Sequence, residues 1–281
     1  MSIVVGMNFY AAAGDAGRRQ SRAIDALRRL PDAHPVNVQW TDETFEVGGI
    51  PTLAVLSRDA WSVTGCTGPR KPIIPDVLEA LARTAEKRNC RYFLYANADV
   101  EITAAALERV NETKREGYAF VRTDTDPDTG AATGPMLFGV DAFAYDVAWW
   151  RKHRHRFRSY IGGEPVWDNV YTAILLSHSN GEFVSTSGLV LHEHHASAWA
   201  KSPYGAYTAF LAALDRPYFT LWAMFHAELT VLRAAGAGPD EEEALRRRVF
   251  TPAAAARGWL LQRLRAAKAR ARYALAKRRN A

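Results

Sequence analysis

The segment Arg91-Tyr-Phe-Leu-Tyr-Ala-Asn-Ala-Asp99 decides the predicted fold. Its aromatic and aliphatic half is typical of a buried strand, and its polar half marks the end of that strand. Before it, the pattern predicts a strand at 3–7, a helix at 17–30, a strand at 36–40 and a helix at 75–87. Parallel strands need such crossover helices. The sequence therefore predicts an α/β fold with a mixed, mostly parallel sheet flanked by helices.

Further strands and helices follow in the second part of the chain. Helices are predicted at 104–116, 165–176 and 207–214, and strands at 118–122, 136–145 and 183–191. We divide the chain into an α/β domain at 1–200, a helical C-terminal region at 201–251 and a basic tail helix at 252–281.

The composition is that of a globular protein. Of the 281 residues, 48% are hydrophobic and 23% are charged, which is enough to bury a full core. Cys66 and Cys90 are too few for a disulfide scaffold and predict free thiols. The N-terminus has no signal-peptide pattern, and no apolar run reaches the roughly 20 residues of a membrane-spanning helix. We therefore expect a cytoplasmic protein.

The net charge of +6 is concentrated in the tail. Nine of the 36 Lys and Arg lie in 252–281, which has no Asp or Glu, so the rest has 27 basic against 30 acidic residues. The folded part of the chain therefore lacks the basic surface that binding of duplex nucleic acid requires. The basic residues of the tail and Trp259 near its start predict a helix that contacts an anionic membrane surface. A solvated helix docked by Trp259 and a dimerisation element are the alternatives.

Acidic residues follow two of the predicted strands. Asp99 stands at a strand end, where ligands bind in parallel sheets, and its carboxylate can hold a divalent metal. Asp124, Asp126 and Asp128 offer the same chemistry on a loop. The alternatives are a backbone cap at Asp99 and a solvated turn at the loop.

A second pair of carboxylates is predicted at the start of a helix. Glu164 and Asp168 are four residues apart, and this spacing places both on one helix face. Either carboxylate near a strand-end pocket is a candidate general base. Alternatively, both complement the helix N-terminus, with Trp167 in the core.

Three of the eight histidines lie in the four residues His192-Glu193-His194-His195, after an apolar run. Neutral imidazoles are good ligands for a transition metal. Alternation along an extended strand would place His192 with His194, and His195 with Glu193, so at most two would ligate together without a turn. A surface cluster or core hydrogen bonding is the alternative.

Four segments together resemble a known family. They are Tyr-Ala-Asn-Ala-Asp-Val (95–100), Gly-Val-Asp-Ala-Phe-Ala-Tyr (139–145), Ile-Gly-Gly-Glu-Pro-Val-Trp-Asp-Asn (161–169) and His-Glu-His-His (192–195). The chain from Ile3 to Trp199 resembles GT-A-fold glycosyltransferases of the family-2-like kind. The resemblance implies a donor-binding half at about 1–100 and an acceptor half at about 117–200.

The resemblance also implies roles for single residues. Asp99 would bind the metal and the diphosphate, His192 or His195 would complete the metal shell, and Asp168, with Glu164 as the alternative, would be the base. The first acid of the family's Asp-x-Asp motif is Asn97 here, a neutral ligand, so the dependence on Mn²⁺ or Mg²⁺ is open.

Substrate contacts follow from the same resemblance. Candidates for the nucleotide are Asn8, Asp42 and Glu43, candidates for the diphosphate are Arg70 and Lys71, and candidates for the acceptor pocket are Asp141, Trp167 and Asn169. The donor would be a UDP-, GDP- or dTDP-linked sugar, and the acceptor a glycan or lipid-linked glycan. An exposed Gly-Pro turn is the alternative explanation for Arg70 and Lys71.

Three functions are thus carried forward. The first is glycosyl transfer, as in polysaccharide biosynthesis, probed by loss of activity in Asp99 and Asp168 variants. The second is a metal-dependent hydrolase built on His192 to His195, which predicts bound zinc and no affinity for nucleotide sugars. The third is a non-catalytic, membrane-associated module directed by the tail at 252–281.

Overall fold

The computed structural model describes residues 1–195 and 202–279. The strands are β1 (Ile3–Met7), β2 (Ala33–Trp40), β3 (Thr52–Leu56), β4 (Tyr92–Ala96), β5 (Val100–Ile102), β6 (Gly117–Thr125), β7 (Ala132–Asp146), β8 (Glu182–Val184) and β9 (Val190–Glu193). The helices are α1 (Gly14–Arg29), α2 (Ala60–Thr64), α3 (Ile74–Lys87), α4 (Ala104–Thr113), α5 (Val147–His153), α6 (Trp167–His178), α7 (Gly205–Leu214), α8 (Arg216–Ala234), α9 (Pro239–Val249) and α10 (Pro252–Arg279).

The strands form one mixed sheet in the order β3-β2-β1-β4-β7-β6-β9-β5, and β8 also pairs with β6. β1 runs parallel to β2 and β4, and β6 runs parallel to β8 and β9. Only β7 and β5 run in the opposite direction to their neighbours. The predicted α/β class, with a mostly parallel sheet flanked by helices, is confirmed.

Helices cover both faces of the sheet. On one face, α3 packs with residues spaced at three and four positions, as expected of an amphipathic helix: Ile74, Val77, Leu78, Leu81, Ala82 and Ala85. The other face is covered by α1 and α4. α6 is buried all round because the sheet lies on one side and α8 on the other. The C-terminal helices therefore add a third layer on the α3 side.

Several predicted boundaries are wrong. The single strand at 183–191 is two strands, β8 and β9, because a turn containing Gly188 at φ +84° separates them. The helix predicted from Pro165 begins at Trp167, and the short strands β3 and β5 were not predicted. The boundary placed between 200 and 201 lies outside the described residues.

The tail is a docked helix over most of its length. The ring of Trp259 lies 6.0 Å from that of Tyr218 on α8, and Tyr273 stacks on Phe210 of α7 at 4.6 Å. The helix is thus docked on the body through Trp259 and Tyr273, and membrane contact of its exposed face stays a prediction. Within 1–195 and 202–279, no helix is apolar over a length sufficient to cross a bilayer.

Gly6 allows α3 to pack closely on β1. A Cβ atom at this position would overlap the side chain of Leu81. We expect Gly6→Ala to lower the free energy of unfolding by about 1–3 kcal/mol, because overpacking strains a close-packed core. Urea denaturation measures the change.

The control is Gly205→Ala, at the start of α7. Apart from the backbone of its own helix and its chain neighbours, no atom of the described chain lies within 4 Å of a Cβ built there, so this variant should be at least as stable as the wild type. A Gly6→Ala protein with unchanged stability would contradict the packing of α3 against β1.

Candidate active site

Polar residues at the ends of neighbouring strands meet at one edge of the sheet. β1 and β4 end side by side, with Gly6 opposite Tyr95, so Asn97 follows at that edge. On β7, Ala142 pairs with Ala96 and brings Asp141 to the same place. This edge is the carboxyl end of the parallel strands, where α/β proteins bind ligands.

Asp99, His192 and His195 form a cluster that could hold a metal. One potential ligand atom from each lies within 4.8 Å of the others. His195 Nε2 is 3.3 Å and His192 Nε2 is 3.7 Å from Asp99 Oδ2. Burial alone would raise the pKa of the Asp99 carboxyl, but hydrogen bonds and charge from the two histidines hold it well below its usual range.

His192 and His195 come together because β9 ends at Glu193. The chain leaves the extended conformation there, so strict alternation no longer applies, and the two Nε2 atoms lie 3.2 Å apart. The grouping of His192 with His194 that strict alternation along an extended strand would give does not occur. His194 instead has its Nδ1 atom 3.5 Å from Asp124 and is mostly exposed.

Asp124 orients His192. β6 and β9 pair with these two residues in register, and Asp124 Oδ1 lies 3.2 Å from His192 Nδ1. This contact leaves Nε2 facing Asp99, and a carboxylate on the outer nitrogen is the usual support of a metal-binding histidine. The neighbouring Asp126 caps an exposed turn by accepting from the N–H of Thr129, so the solvated-turn alternative holds there.

Asn97 and Asp141 belong to one hydrogen-bond network. The Asn97 side-chain amide donates to Asp141 Oδ1 at 2.8 Å, and Tyr95 donates to the Asn97 side-chain oxygen at 3.2 Å. The second oxygen of Asp141 accepts from Arg122 at 2.9 Å. Asp141, predicted to line the acceptor pocket, is thus 8% exposed and held from two sides.

Asp168 has the properties of a general base. It stands in the first turn of α6, half-buried. Burial and the nearby carboxylate of Asp141 raise its pKa to about 7, although backbone N–H groups of Asn169 and Val140 act in the opposite direction. Val166, just before the helix, has φ +84°, a conformation that β-branched residues rarely adopt and that concentrates at functional sites.

Glu164 is placed differently from the prediction. The expectation that Glu164 and Asp168 share a helix face is wrong, because α6 begins only at Trp167 and Glu164 lies in the preceding turn. Lys71 Nζ and Ser202 Oγ both donate to Glu164 Oε1 at 2.6 Å. Lys71, predicted to meet a diphosphate, is therefore paired with a buried carboxylate.

Arg70 is also engaged by carboxylates. Its guanidinium lies 2.9 Å from oxygens of Asp42, Glu43 and Asp59, and it lies over the ring of Trp40 at 4.6 Å. Three carboxylates around one guanidinium leave a net negative charge, so a diphosphate would have to displace at least one of them. The assignment of Arg70 and Asp42 to the donor stays a prediction.

The remaining predicted residues are mostly buried. Asn8 is 8% exposed and donates to the Val38 carbonyl at 2.6 Å. Trp167 is 3% exposed and packs edge-on against Tyr95, as the core alternative held. Asn169 is 4% exposed, and its side-chain nitrogen has no hydrogen-bond partner among the described residues.

Two residues beside the group of Asp99, His192 and His195 were not predicted. Tyr10 is held by Gln20, which bonds both its N–H and its carbonyl. Burial and the charge of Asp99 raise the pKa of the Tyr10 hydroxyl, and Arg19 lowers it. Arg19 lies 3.9 Å from the buried Glu193. The signal available in the sequence was that Tyr10 follows β1 at the same edge as Asp99.

Comparison with known proteins gives a distant likeness. No family model matches the chain, and no curated protein matches it in sequence. Crystal structures of S. aureus TarS 1–349 match over 76% of this chain: the complex with UDP-GlcNAc at TM-score 0.48 and 11% identity over 66% of that chain, and the complex with UDP at TM-score 0.45 and 12% identity over 65%. This chain thus spans about two thirds of that segment. A likeness with TM-scores below 0.5 assigns no function.

Proposed function

We propose that the chain is a glycosyltransferase that moves a sugar from a nucleoside-diphosphate sugar to a hydroxyl group of an acceptor. One observation carries the proposal: three potential metal ligands and a separate carboxyl, whose pKa burial and Asp141 raise to about 7, lie along the same edge of one α/β sheet. The resemblance of the four motif segments to GT-A-fold enzymes supports it.

The residues present fit a divalent metal. Asp99, His192 and His195 offer one oxygen and two nitrogens, a donor set suited to Mn²⁺ or another transition metal more than to Mg²⁺. Asn97, which replaces the first acid of the family motif, donates its side-chain amide to Asp141. The two imidazoles would therefore provide the ligands that the missing acid does not. A cation bound there would stabilise negative charge on the departing diphosphate.

The chain's own residues would perform the proton transfer. Asp168 would accept the proton of the acceptor hydroxyl. At the same time the hydroxyl oxygen would bond to the anomeric carbon, and the bond from that carbon to the diphosphate would break. Displacement from the face opposite the leaving group would invert the anomeric centre. Asp168 is preferred to Glu164, whose Oε1 already accepts from Lys71 and Ser202.

The start of α1 supports a phosphate-bearing donor at this edge. α1 is the next element after β1 and begins at Gly14, and no side chain among the described residues caps its N-terminus at Ala13, although Asp15 stands in its first turn. Free N–H groups at a helix N-terminus favour anions. Arg19 on the same helix adds a cation beside the cluster.

A second function has a specific observation in its favour. Two histidines and one carboxylate also suit a zinc hydrolase. A thermal-shift panel of UDP-, GDP-, CDP- and dTDP-sugars, with Mn²⁺ and without, separates the two. Stabilisation by one nucleotide class, larger with Mn²⁺, is expected of a transferase. Stoichiometric zinc on purification without any nucleotide effect would contradict the proposal.

We also propose that α10 contacts an anionic membrane surface. Its exposed cations, which make no ion pair within the described chain, are Arg257, Arg265, Lys268, Arg270 and Arg272. Each basic residue near such a surface contributes about 1 kcal/mol. The variant with Arg265, Lys268 and Arg272 changed to Glu should bind vesicles containing phosphatidylserine at least about 100-fold more weakly in sedimentation assays.

The matched control changes three exposed cations elsewhere, Arg29, Lys87 and Lys114, to Glu. It has the same net charge as the α10 variant and should retain vesicle binding. Equal loss in both variants would indicate an effect of net charge alone and contradict a surface on α10.

A further inference from the structure

Arg122 on β6 lies between the two halves of the candidate site. Its Nε is 2.8 Å from Asp124 Oδ1, and its Nη1 is 2.9 Å from Asp141 Oδ2. Asp124 contacts the potential metal ligand His192. Asp141 follows Val140, whose backbone N–H interacts with Asp168, and the charge of Asp141 acts on the Asp168 carboxyl. One guanidinium thus connects both groups through two buried carboxylates.

The local structure of β6 directs Arg122 into this position. The pairing of β6 with β7 shifts register on both sides of Val121, and such irregularities re-aim side chains next to functional sites. Gly139 faces the guanidinium, since a Cβ atom there would lie 3.1 Å from Arg122 Nε. A side chain at 139 would therefore crowd the guanidinium.

We propose that Arg122 is a positioning residue that links metal binding at His192 to proton transfer at Asp168, through the carboxylates of Asp124 and Asp141. The inference rests on the proposed function, but the metal affinity and the protonation of Asp168 can both be measured without turnover. Arg122 acts on each half in a different way.

On the metal side, the shape of Arg122 matters. The rigid fork of the guanidinium places Nε 2.8 Å from Asp124 Oδ1 as an ion pair without hydrogen-bond geometry. Asp124 in turn contacts His192 Nδ1 and leaves Nε2 towards Asp99. Loss of the fork frees Asp124, and the imidazole loses its orientation. Changes to such supporting groups weaken metal binding by about 10- to 100-fold.

On the base side, the charge of Arg122 matters. Asp141 is the charged neighbour that raises the pKa of Asp168, and Arg122 offsets the charge of Asp141. Without that positive charge, two carboxylates would share the pocket and one proton would be held more tightly.

Two substitutions separate shape from charge. Arg122→Lys retains the charge and loses the fork, so Mn²⁺ binding should weaken about 10-fold while the pKa of Asp168 stays near that of the wild type. Arg122→Met loses both, so Mn²⁺ binding should weaken similarly and the pKa of Asp168 should rise by about 1. Electron paramagnetic resonance of free Mn²⁺ gives the affinity, and carboxyl ¹³C NMR of the metal-free full chain, assigned with Asp168→Asn, gives the pKa.

Arg151→Met is the matched control. Arg151 also bridges two carboxylates, with contacts of 2.7 Å to Glu79 and 2.6 Å to Glu86, but on α5 away from the candidate site. It should change neither Mn²⁺ affinity nor the pKa of Asp168. If Arg122→Met proves unstable, Gly139→Ala displaces the guanidinium with less disruption and should weaken Mn²⁺ binding to a level between wild type and Arg122→Lys.

Tighter Mn²⁺ binding in Arg122→Met would overturn the inference, because it would mean that Arg122 only repels the cation. An unchanged pKa of Asp168 in Arg122→Met would overturn it equally. Since neither measurement needs a substrate, both expected shifts in a chain without transferase activity would uphold the inference and reject the proposed function.

Discussion

Replacing Asp168 with Asn is expected to lower kcat by about 10²- to 10⁴-fold, the usual contribution of a general base, and to raise the stability of the fold at pH 8. Asparagine cannot accept the acceptor proton. It also removes a carboxylate whose pKa is raised to about 7 by burial and by Asp141. Steady-state kinetics and urea denaturation of the same preparation test both effects.

The stability gain depends on pH in a defined direction. The folded wild type holds the proton of Asp168 up to about pH 7, whereas the unfolded chain loses it near pH 4. Wild-type stability is therefore lost as pH rises between these values, and Asp168→Asn escapes this loss. We expect a gain of roughly 1–3 kcal/mol at pH 8 and none at pH 3.5.

Glu164→Gln serves as the comparison for activity. In the wild type, kcat/KM should rise as the pH approaches 7 and Asp168 loses its proton. Glu164→Gln should preserve this pH profile and a larger share of kcat than Asp168→Asn. The opposite ranking would assign the base to Glu164 and contradict the choice of Asp168.

Asp99→Ala is expected to weaken Mn²⁺ binding by at least about 100-fold, since even supporting residues of a metal site contribute 10- to 100-fold. The substitution removes the one carboxylate of the cluster and leaves His192 and His195. Transfer activity should fall with the loss of metal. Mn²⁺ binding measured without substrate, followed by activity at rising Mn²⁺ concentration, checks both.

The control for Asp99→Ala is Asp126→Ala, which removes an acid from the exposed turn near β6. It should leave Mn²⁺ affinity unchanged. Full activity of Asp99→Ala in a chelator would show that transfer needs no metal at this cluster.

Sequence periodicity predicted the part of the fold that depends on local pattern. The strand ending at Ala96 and the helix ending at Lys87 appear almost as expected. Both are recognisable because the burial of a strand or an amphipathic helix produces a hydrophobic pattern among residues close in sequence. The same reasoning correctly predicted that Asp99 lies at the edge of the sheet. These features needed no knowledge of distant contacts.

Contacts between distant segments were not predictable in the same way. That His195, rather than His194, joins His192 depends on where β9 ends. That Lys71 is paired depends on Glu164, 93 residues away. Arg122 was missed because Asp124 stands two residues along the same strand, whereas Asp141 comes within reach only through the pairing of β6 with β7.

The most direct test of the central claim is a mass balance of turnover with the nucleotide sugar found in the thermal-shift panel. With Mn²⁺ and a panel of hydroxyl acceptors, including glycans and lipid-linked glycans, we expect one nucleoside diphosphate to be released per sugar transferred. The new bond should have inverted anomeric configuration by NMR, and Asp168→Asn should form both products at least about 100-fold more slowly than the wild type. Release of free sugar alone at the same rate with and without every acceptor, or turnover in Asp168→Asn at the wild-type rate, would contradict this mechanism.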